Sequence, residues 1–215
     1  SEPRLRIHFQ VDVPLDLQQA RRALFSALWI RSLGGLLVSS NENALALEDL
    51  EWLGIEPDAM TSSPKTEHYT AAADELADHG RAYRCYCTKA EHQEMRSAPP
   101  GSPEPVVYDG RCIKLTAVDR KAMKKANRRY TVRLARSTGD APAAQDSTTG
   151  VPPWDFALID DSGVPTRPFA TLVDERTARA NHALVDMGAE DLEPTRAAIV
   201  ARVGWDAAAT IKLPP

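Results

Sequence analysis

The 215-residue chain is 43% hydrophobic and 26% charged and carries a formal net charge of −4, ordinary values for a globular protein. No apolar run approaches the ~20 residues of a membrane span, and the opening SEPRLRIHF has no apolar secretory core, so a soluble, cytoplasmic protein is expected. Three cysteines, Cys85, Cys87 and Cys112, are too few for a disulfide framework, which leaves metal binding or plain buried thiols.

RLRIHFQVDV alternates Leu5, Ile7, Phe9, Val11 and Val13 on one side, the two-residue period of a strand, and Pro14 stops it. Asp16 and Gln19 form an N-cap and capping-box pattern. The helix that follows is expected to bury Ala20, Ala23, Leu24, Ala27 and Leu28 and to end at Gly34-Gly35. LLVS reads as a short second strand, and Asn43 to Trp52 and Thr66 to His79 as helices. This strand-helix-strand-helix opening predicts a parallel α/β sheet. Ser97 to Pro105 is a Pro-rich loop, followed by basic helical sequence, the strand YTVRLAR and a polar loop from Ser137 to Pro153. WDFALIDDSGVPTRPFATLVD predicts a hairpin of two strands around Asp160-Asp161-Ser162-Gly163. A last helix, from Pro194 to Val203, precedes Gly204-Trp205 and a Pro-terminated tail.

Charge is unevenly spread. From Arg111 to Arg136 there are ten basic residues and one acid, Asp119, so this stretch carries nine net positive charges and the remainder thirteen net negative ones. A basic segment on an acidic protein fits a polyanion contact, and equally a solvated helix face. The cysteines have a comparable ambiguity. Cys85-x-Cys87 with Cys112 beyond a loop is how small zinc knuckles close, but a structural zinc takes four ligands. Tyr108 is an unusual candidate for the fourth, and His92 its conventional competitor.

GRAYRCYCTKAE followed by YDGRC resembles the zinc segment of bacterial glutamyl-tRNA synthetases, and more closely that of their short paralogues, the glutamyl-queuosine tRNA(Asp) synthetases. The resemblance implies zinc as cofactor, with Cys85, Cys87, Tyr108 and Cys112 as ligands. It extends along nearly the whole chain. ARRALFSALWIRSLGG is similar to the family's first helix, LEDLEWLGIEPD to its LRWLGLDWD segment, WDFALIDDSGVPTRPFATLVDE to its DFVLRRSDGTPTYNFAVVVDD segment and EDLEPTRAAIVARVGW to its GEDLLPSTPRQILLYEALG segment. The implied fold is an α/β, class I synthetase-like Rossmann domain with a parallel sheet, interrupted by a zinc knuckle and a connective insertion. Its expected parts are residues 1–84, the first half of the Rossmann-like domain; 85–112, the knuckle; 113–164, a basic acceptor-stem-like insertion; and 165–215, the second half.

The chemistry-bearing positions depart from the family pattern. The His-Ile-Gly-His or His-Ile-Gly-Gly signature, which binds ATP, falls on Asp16, Leu17, Gln18 and Gln19. Asp16 presents a carboxylate where phosphate would come, and Gln18 a side chain where glycine admits the adenine. Only Glu42 is kept of the acidic strand end, Arg167 and Pro168 replace the Tyr-Asn of the amino-acid pocket, and the glutamate-reading arginine falls near Asp186 or Met187. The sequence reaches Pro215 before any Lys-Met-Ser-Lys-Ser-like loop. Ordinary glutamate activation is therefore not expected, and no catalytic residue is assigned.

Three functions follow from these losses. A catalytically degenerate protein would bind a tRNA acceptor stem or an aminoacyl-tRNA through Lys114, Arg120, Lys121, Lys124, Lys125, Arg128, Arg129, Arg133 and Arg136. An enzyme recruited to amino-acid-based small-molecule chemistry would line its cleft with Arg6, His8, Asp12, Asp16, Glu42 and Arg167. A non-catalytic subunit would instead serve a protein partner. For Asp16, the helix-cap role is the simpler reading.

Overall fold

The computed structural model describes residues 5–9, 15–40, 44–61, 65–96, 110–135, 156–185 and 193–213. They fall into two compact units, one within Ser1–Lys65, Ala170–Glu193 and Trp205–Pro215, the other within Thr66–Phe169 and Pro194–Gly204.

The first unit is a parallel sheet of β1 (Leu5–Phe9), β2 (Gly35–Ser39), β3 (Ala59–Met60), β7 (His182–Val185) and β8 (Ala209–Lys212), in the order β3-β2-β1-β7-β8. The order reverses direction at β1, where the chain runs first to one side of the sheet and later to the other. In such open sheets the ligand crevice lies at the carboxyl ends of the strands flanking this switch point. Helix α1 (Leu17–Leu33) joins β1 to β2, and α2 (Ala44–Trp52) joins β2 to β3. Ile7, Phe9, Leu37, Ala23, Ala27, Ile30, Ala46, Leu50, Leu184 and Leu213 share one core.

Asp16 is the N-cap of α1, its carboxylate accepting the Gln19 backbone N–H at 2.7 Å. The buried face of the helix is turned from the expected one. Ala23, Ser26, Ala27 and Ile30 are buried, whereas Leu24 and Leu28 are 37% and 59% exposed. The apolar arc of α1 is wider than the strip its sheet covers, and periodicity alone cannot say which edge of that arc stays in water. Gly34 ends the helix at φ 73°. Gly35 then starts β2 so close to β1 that a Cβ there would stand 2.3 Å from the Leu5 carbonyl oxygen.

The second unit holds an antiparallel sheet of β4 (Ala82–Cys85), β5 (Thr131–Leu134) and β6 (Ala157–Ile159), in the order β4-β5-β6. Here also lie α3 (Thr66–Asp78), α4 (Lys89–Arg96), a 3-10 turn (Arg111–Lys114) and α5 (Ala117–Lys125). Helix α7 (Glu193–Val203) ends where the Arg81 guanidinium donates to the Val203 carbonyl, a cation on a helix C-terminus.

One expectation is corrected and one element is added. The hairpin has only its first strand, β6, and its turn, in which the Asp160 carboxylate accepts the backbone N–H groups of Ser162 and Val164 at 2.8 and 2.9 Å. Apart from one bridge between Ile159 and Pro165, the second strand is replaced by helix α6 (Arg167–Thr177). Pro168 has no N–H to give a ladder but fits a first helical turn, and Phe169, Leu172 and Val173 are buried at helical spacing. The tail after Trp205, for which the sequence names no element, holds a strand. Residues Ala209–Lys212 pair with β7 in parallel, in register from His182↔Ala209 to Val185↔Lys212.

Gly35→Ala must push β1 and β2 apart, so it should destabilise by about 2–3 kcal/mol and lower Tm by roughly 5–10 °C. Thermal melting by circular dichroism checks this; an unchanged Tm would show that the strand contact is slack.

Candidate metal centre and basic face

The cysteines are brought together by two turns of the second unit. Cys85 ends β4, Cys87 lies two residues on, and Cys112 sits in the 3-10 turn. The sulfurs all lie within 4.8 Å of one another, and Cys87 Sγ and Cys112 Sγ are 3.6 Å apart. The Tyr86 backbone N–H donates to Cys112 Sγ at 3.4 Å, the kind of contact that stabilises a thiolate. Cys85 and Cys112 are buried and Cys87 is half-buried. Zinc–sulfur bonds near 2.3 Å place two tetrahedral thiolates roughly 3.8 Å apart, so the sulfur spacing suits one metal ion. Tyr108 lies outside the described residues. His92, on α4, brings Nε2 to 3.6 Å from Cys85 Sγ.

The surroundings hold this cluster firmly. Arg84 on β4 donates to Asp74 at 2.7 Å and to Asp78 at 3.3 Å, both on α3. Its guanidinium lies 5.8 Å from the Tyr130 ring centre, and Tyr130 is 5.7 Å from the Tyr86 ring. Tyr83, Tyr86, Cys85, Cys112 and Ala135 pack as one buried cluster. The sequence reading passed over Arg84, Tyr86 and Tyr130; alternation in AYRC, with Tyr83 and Cys85 two apart, was the available signal.

Beside the cluster stands α5. A capping box starts it, with the Thr116 hydroxyl accepting the Asp119 N–H at 3.2 Å and the Asp119 carboxylate accepting the Thr116 N–H at 2.9 Å. The segment's single acid is thus occupied by the cap. No residue of α5 is buried. Lys114, Arg120, Lys121, Lys124, Lys125, Arg128 and Arg129 are exposed, and Arg133 on β5 is half-buried. Arg120 spans back to the Leu115 carbonyl at 2.8 Å, which fixes one guanidinium near the 3-10 turn. Arg136 lies outside the described residues.

The cleft candidates are more scattered. Arg6 is turned toward the α6–β7 connection: its Nε donates to the Ala178 carbonyl and its backbone N–H to Asn181 Oδ1 at 2.7 Å. Asp16 is occupied as a cap, and Arg167 is exposed at the start of α6 in the second unit. Asp12 and Glu42 lie outside the described residues. His8, near the carboxyl end of β1, meets Ser40 with Nε2 and Oγ 3.0 Å apart. Ser40 is 1% exposed.

The family described as "tRNA synthetases class I (E and Q), catalytic domain" matches residues 39–213. The chain belongs to this family. It is 31% identical over 201 residues to glutamate–tRNA ligase 1 of Caldanaerobacter subterraneus subsp. tengcongensis, covering 85% of this chain and 42% of that protein. With the glutamate–tRNA ligase of Heliobacterium modesticaldum it shares 32% identity over 209 residues, again 85% and 42% of the two chains. The chain therefore spans less than half the length of these curated relatives. Its fold superposes on a crystal structure of a glutamate tRNA ligase from Elizabethkingia meningosepticum in complex with its amino acid, with a TM-score of 0.73 at 18% identity over 98% of this chain and 49% of that one. The α/β Rossmann-like fold of the family is thus present. None of the helices among the described residues is long and apolar enough to cross a membrane.

Burial lowers the His8 pKa from 6.5 to about 4. Folded His8 stays neutral through the window in which an unfolded histidine takes up its proton. The unfolded state then binds more protons, so the contribution of His8 is fully present above pH 6.5 and is lost as pH falls toward 4. The slope is at most ~1.4 kcal/mol per pH unit. His8→Gln, which keeps a polar partner for Ser40 but does not titrate, should flatten the acid side of the Tm–pH profile. Superimposable profiles would refute a neutral buried His8.

Proposed function

We propose that this chain is a catalytically degenerate glutamyl-tRNA synthetase-like protein that binds a tRNA acceptor stem or an aminoacyl-tRNA without activating an amino acid. The observation that carries the reading is Asp16. At the position of the family's signature histidine, its carboxylate is used to cap α1. A helix start that would cradle phosphate through free N–H groups is occupied by a negative side chain. The family match itself begins at residue 39, after β1 and α1.

Nucleic-acid binding is supported by α5 and its flanking turns. No residue of α5 is buried, and its only acid, Asp119, is held in the capping box. In this reading residues 113–164 contact the acceptor end, residues 85–112 form the knuckle beside them, and residues 1–84 and 165–215 supply the Rossmann-like frame. A cytoplasmic location goes with such a ligand. Zinc fits the three close sulfurs, and Tyr108 completes the set by the family resemblance. The ion would cross-link β4 to the 3-10 turn and hold in place the basic segment that starts there. A second reading, an enzyme recruited to small-molecule chemistry, has the His8–Ser40 pair at the carboxyl end of β1 in its favour. The near-complete burial of Ser40 weighs against it as a nucleophile.

ATP–pyrophosphate exchange with glutamate should be absent with and without tRNA; robust exchange overturns the proposal. Total tRNA should shift the protein in a gel at low salt. Exchanging Lys124 and Lys125 for Glu should weaken binding and reduce the slope of log K against log salt by about two. Equal affinity and slope would return α5 to a solvated face.

Metal analysis of the purified chain should find zinc, and Cys112→Ser should lose it. A metal-free wild-type chain with three reactive thiols would refute the knuckle without touching the tRNA reading.

A further inference from the structure

The turn between Cys87 and His92 is built to aim an imidazole at the cysteines. Thr88 is the N-cap of α4: its hydroxyl accepts the Glu91 backbone N–H at 3.2 Å, and the Glu91 carboxylate accepts the Thr88 backbone N–H at 2.6 Å. That backbone bond, with the Thr88 hydroxyl second, holds the Glu91 carboxyl below its ordinary range. A capping box brings the residue just before the cap and the fourth helical residue to the same side. Here these are Cys87 and His92. The His92 backbone N–H bonds to the Thr88 carbonyl at 3.0 Å, and its Nε2 reaches back to within 3.6 Å of Cys85 Sγ.

We infer that His92 is a positioning residue of the thiolate cluster, donating its Nε2–H to the Cys85 sulfur and lying outside the metal's own ligand set. The inference rests on the zinc reading of the cluster. One geometric fact separates a donor from a ligand. The 3.6 Å between Nε2 and Cys85 Sγ suits an N–H···S hydrogen bond and a shared ion alike, so the other two sulfurs decide. A ligand on the same tetrahedral ion would have to stand roughly 3.5–3.8 Å from all three sulfurs. The set of ligand atoms within 4.8 Å of one another contains Cys85, Cys87 and Cys112, and His92 is not among them.

The chemistry gives the donor a purpose. Three thiolates around a divalent cation leave an excess negative charge, and Cys85, at 0% exposure, has no water to share it with. An imidazole N–H is a neutral group that can offset this charge without adding a fifth ligand. It also fixes the Cys85 rotamer, so the sulfur is already oriented when the metal arrives.

The test uses the full chain with His92→Ala, His92→Gln and Thr88→Ala, and Cys112→Ser as the metal-loss control. Zinc affinity is read by competition with a chromogenic chelator, and the ligand set by visible absorption of the cobalt(II) form. His92→Ala should weaken zinc about 10- to 100-fold while leaving the cobalt bands where they are. His92→Gln, whose amide can donate to the sulfur, should recover most of the loss. Thr88→Ala, which opens the box but keeps the imidazole, should weaken zinc by a smaller factor and serves if His92→Ala does not fold. Unchanged affinity in these variants overturns the inference. Shifted cobalt bands in His92→Ala overturn it too, by making His92 a ligand. A wild-type chain that binds neither metal removes the zinc reading, and this inference with it.

Discussion

Arg6 and Asn181 bond to each other twice: the Arg6 N–H donates to Asn181 Oδ1 at 2.7 Å, and the Asn181 N–H to the Arg6 carbonyl at 3.0 Å. Beside them Ile7 pairs with His182, a short seam and the one parallel register pair between β1 and β7 among the described residues. The chain leaves the sheet after β3 and must return across this seam, with the antiparallel unit and the cysteine cluster formed in between. Parallel pairing of such distant segments carries a large loop-closure cost. A side-chain amide that mimics a ladder partner, together with the Arg6 guanidinium on the Ala178 carbonyl, reinforces the seam where the ladder is thinnest.

The second unit solves a different problem. Its three strands are short, and one face of its polar helix α5 has nothing apolar to bury. Cohesion comes from compact, specific contacts: Arg84 between two aspartates and an aromatic ring, the tyrosine pair and the close sulfurs. Exposed ion pairs contribute little individually, so the buried cysteine–tyrosine cluster is the stronger holdfast. A metal ion bridging β4 and the 3-10 turn would substitute for the core that the segment lacks.

Local signals in the sequence predicted local structure well. Alternation found β1, the Asp16 pattern found the start of α1, and glycines marked where α1 and α3 stop. What failed was decided between elements. Leu24 and Leu28 belong to the apolar arc of α1, but only the position of the sheet determines that Ser26 is covered in their place. TRPFATLVD has strand-like composition, yet a proline without an N–H is worth more at a helix start than in a ladder. Residues Ala209–Lys212 form a strand because β7 offers them a free edge, which no local pattern announces. The cysteine triad was legible because its spacing is sparse and specific. The His8–Ser40 contact was not, since it is a hydrogen bond between β1 and the residue just after β2, far apart in sequence.

Asp16 closes the N-terminal end of α1 with its own carboxylate. An anion site at a helix start is a set of unsatisfied donors kept waiting for a ligand, and in the empty protein it is a standing weakness of the helix. Here the chain supplies the acceptor itself, from the Asp16 side chain. Replacing Asp16 by a residue that cannot accept would leave the Gln19 N–H without that acceptor and loosen the first turn of α1. The cap thus settles the start of the helix from within the chain, and that turn needs no ligand to complete it.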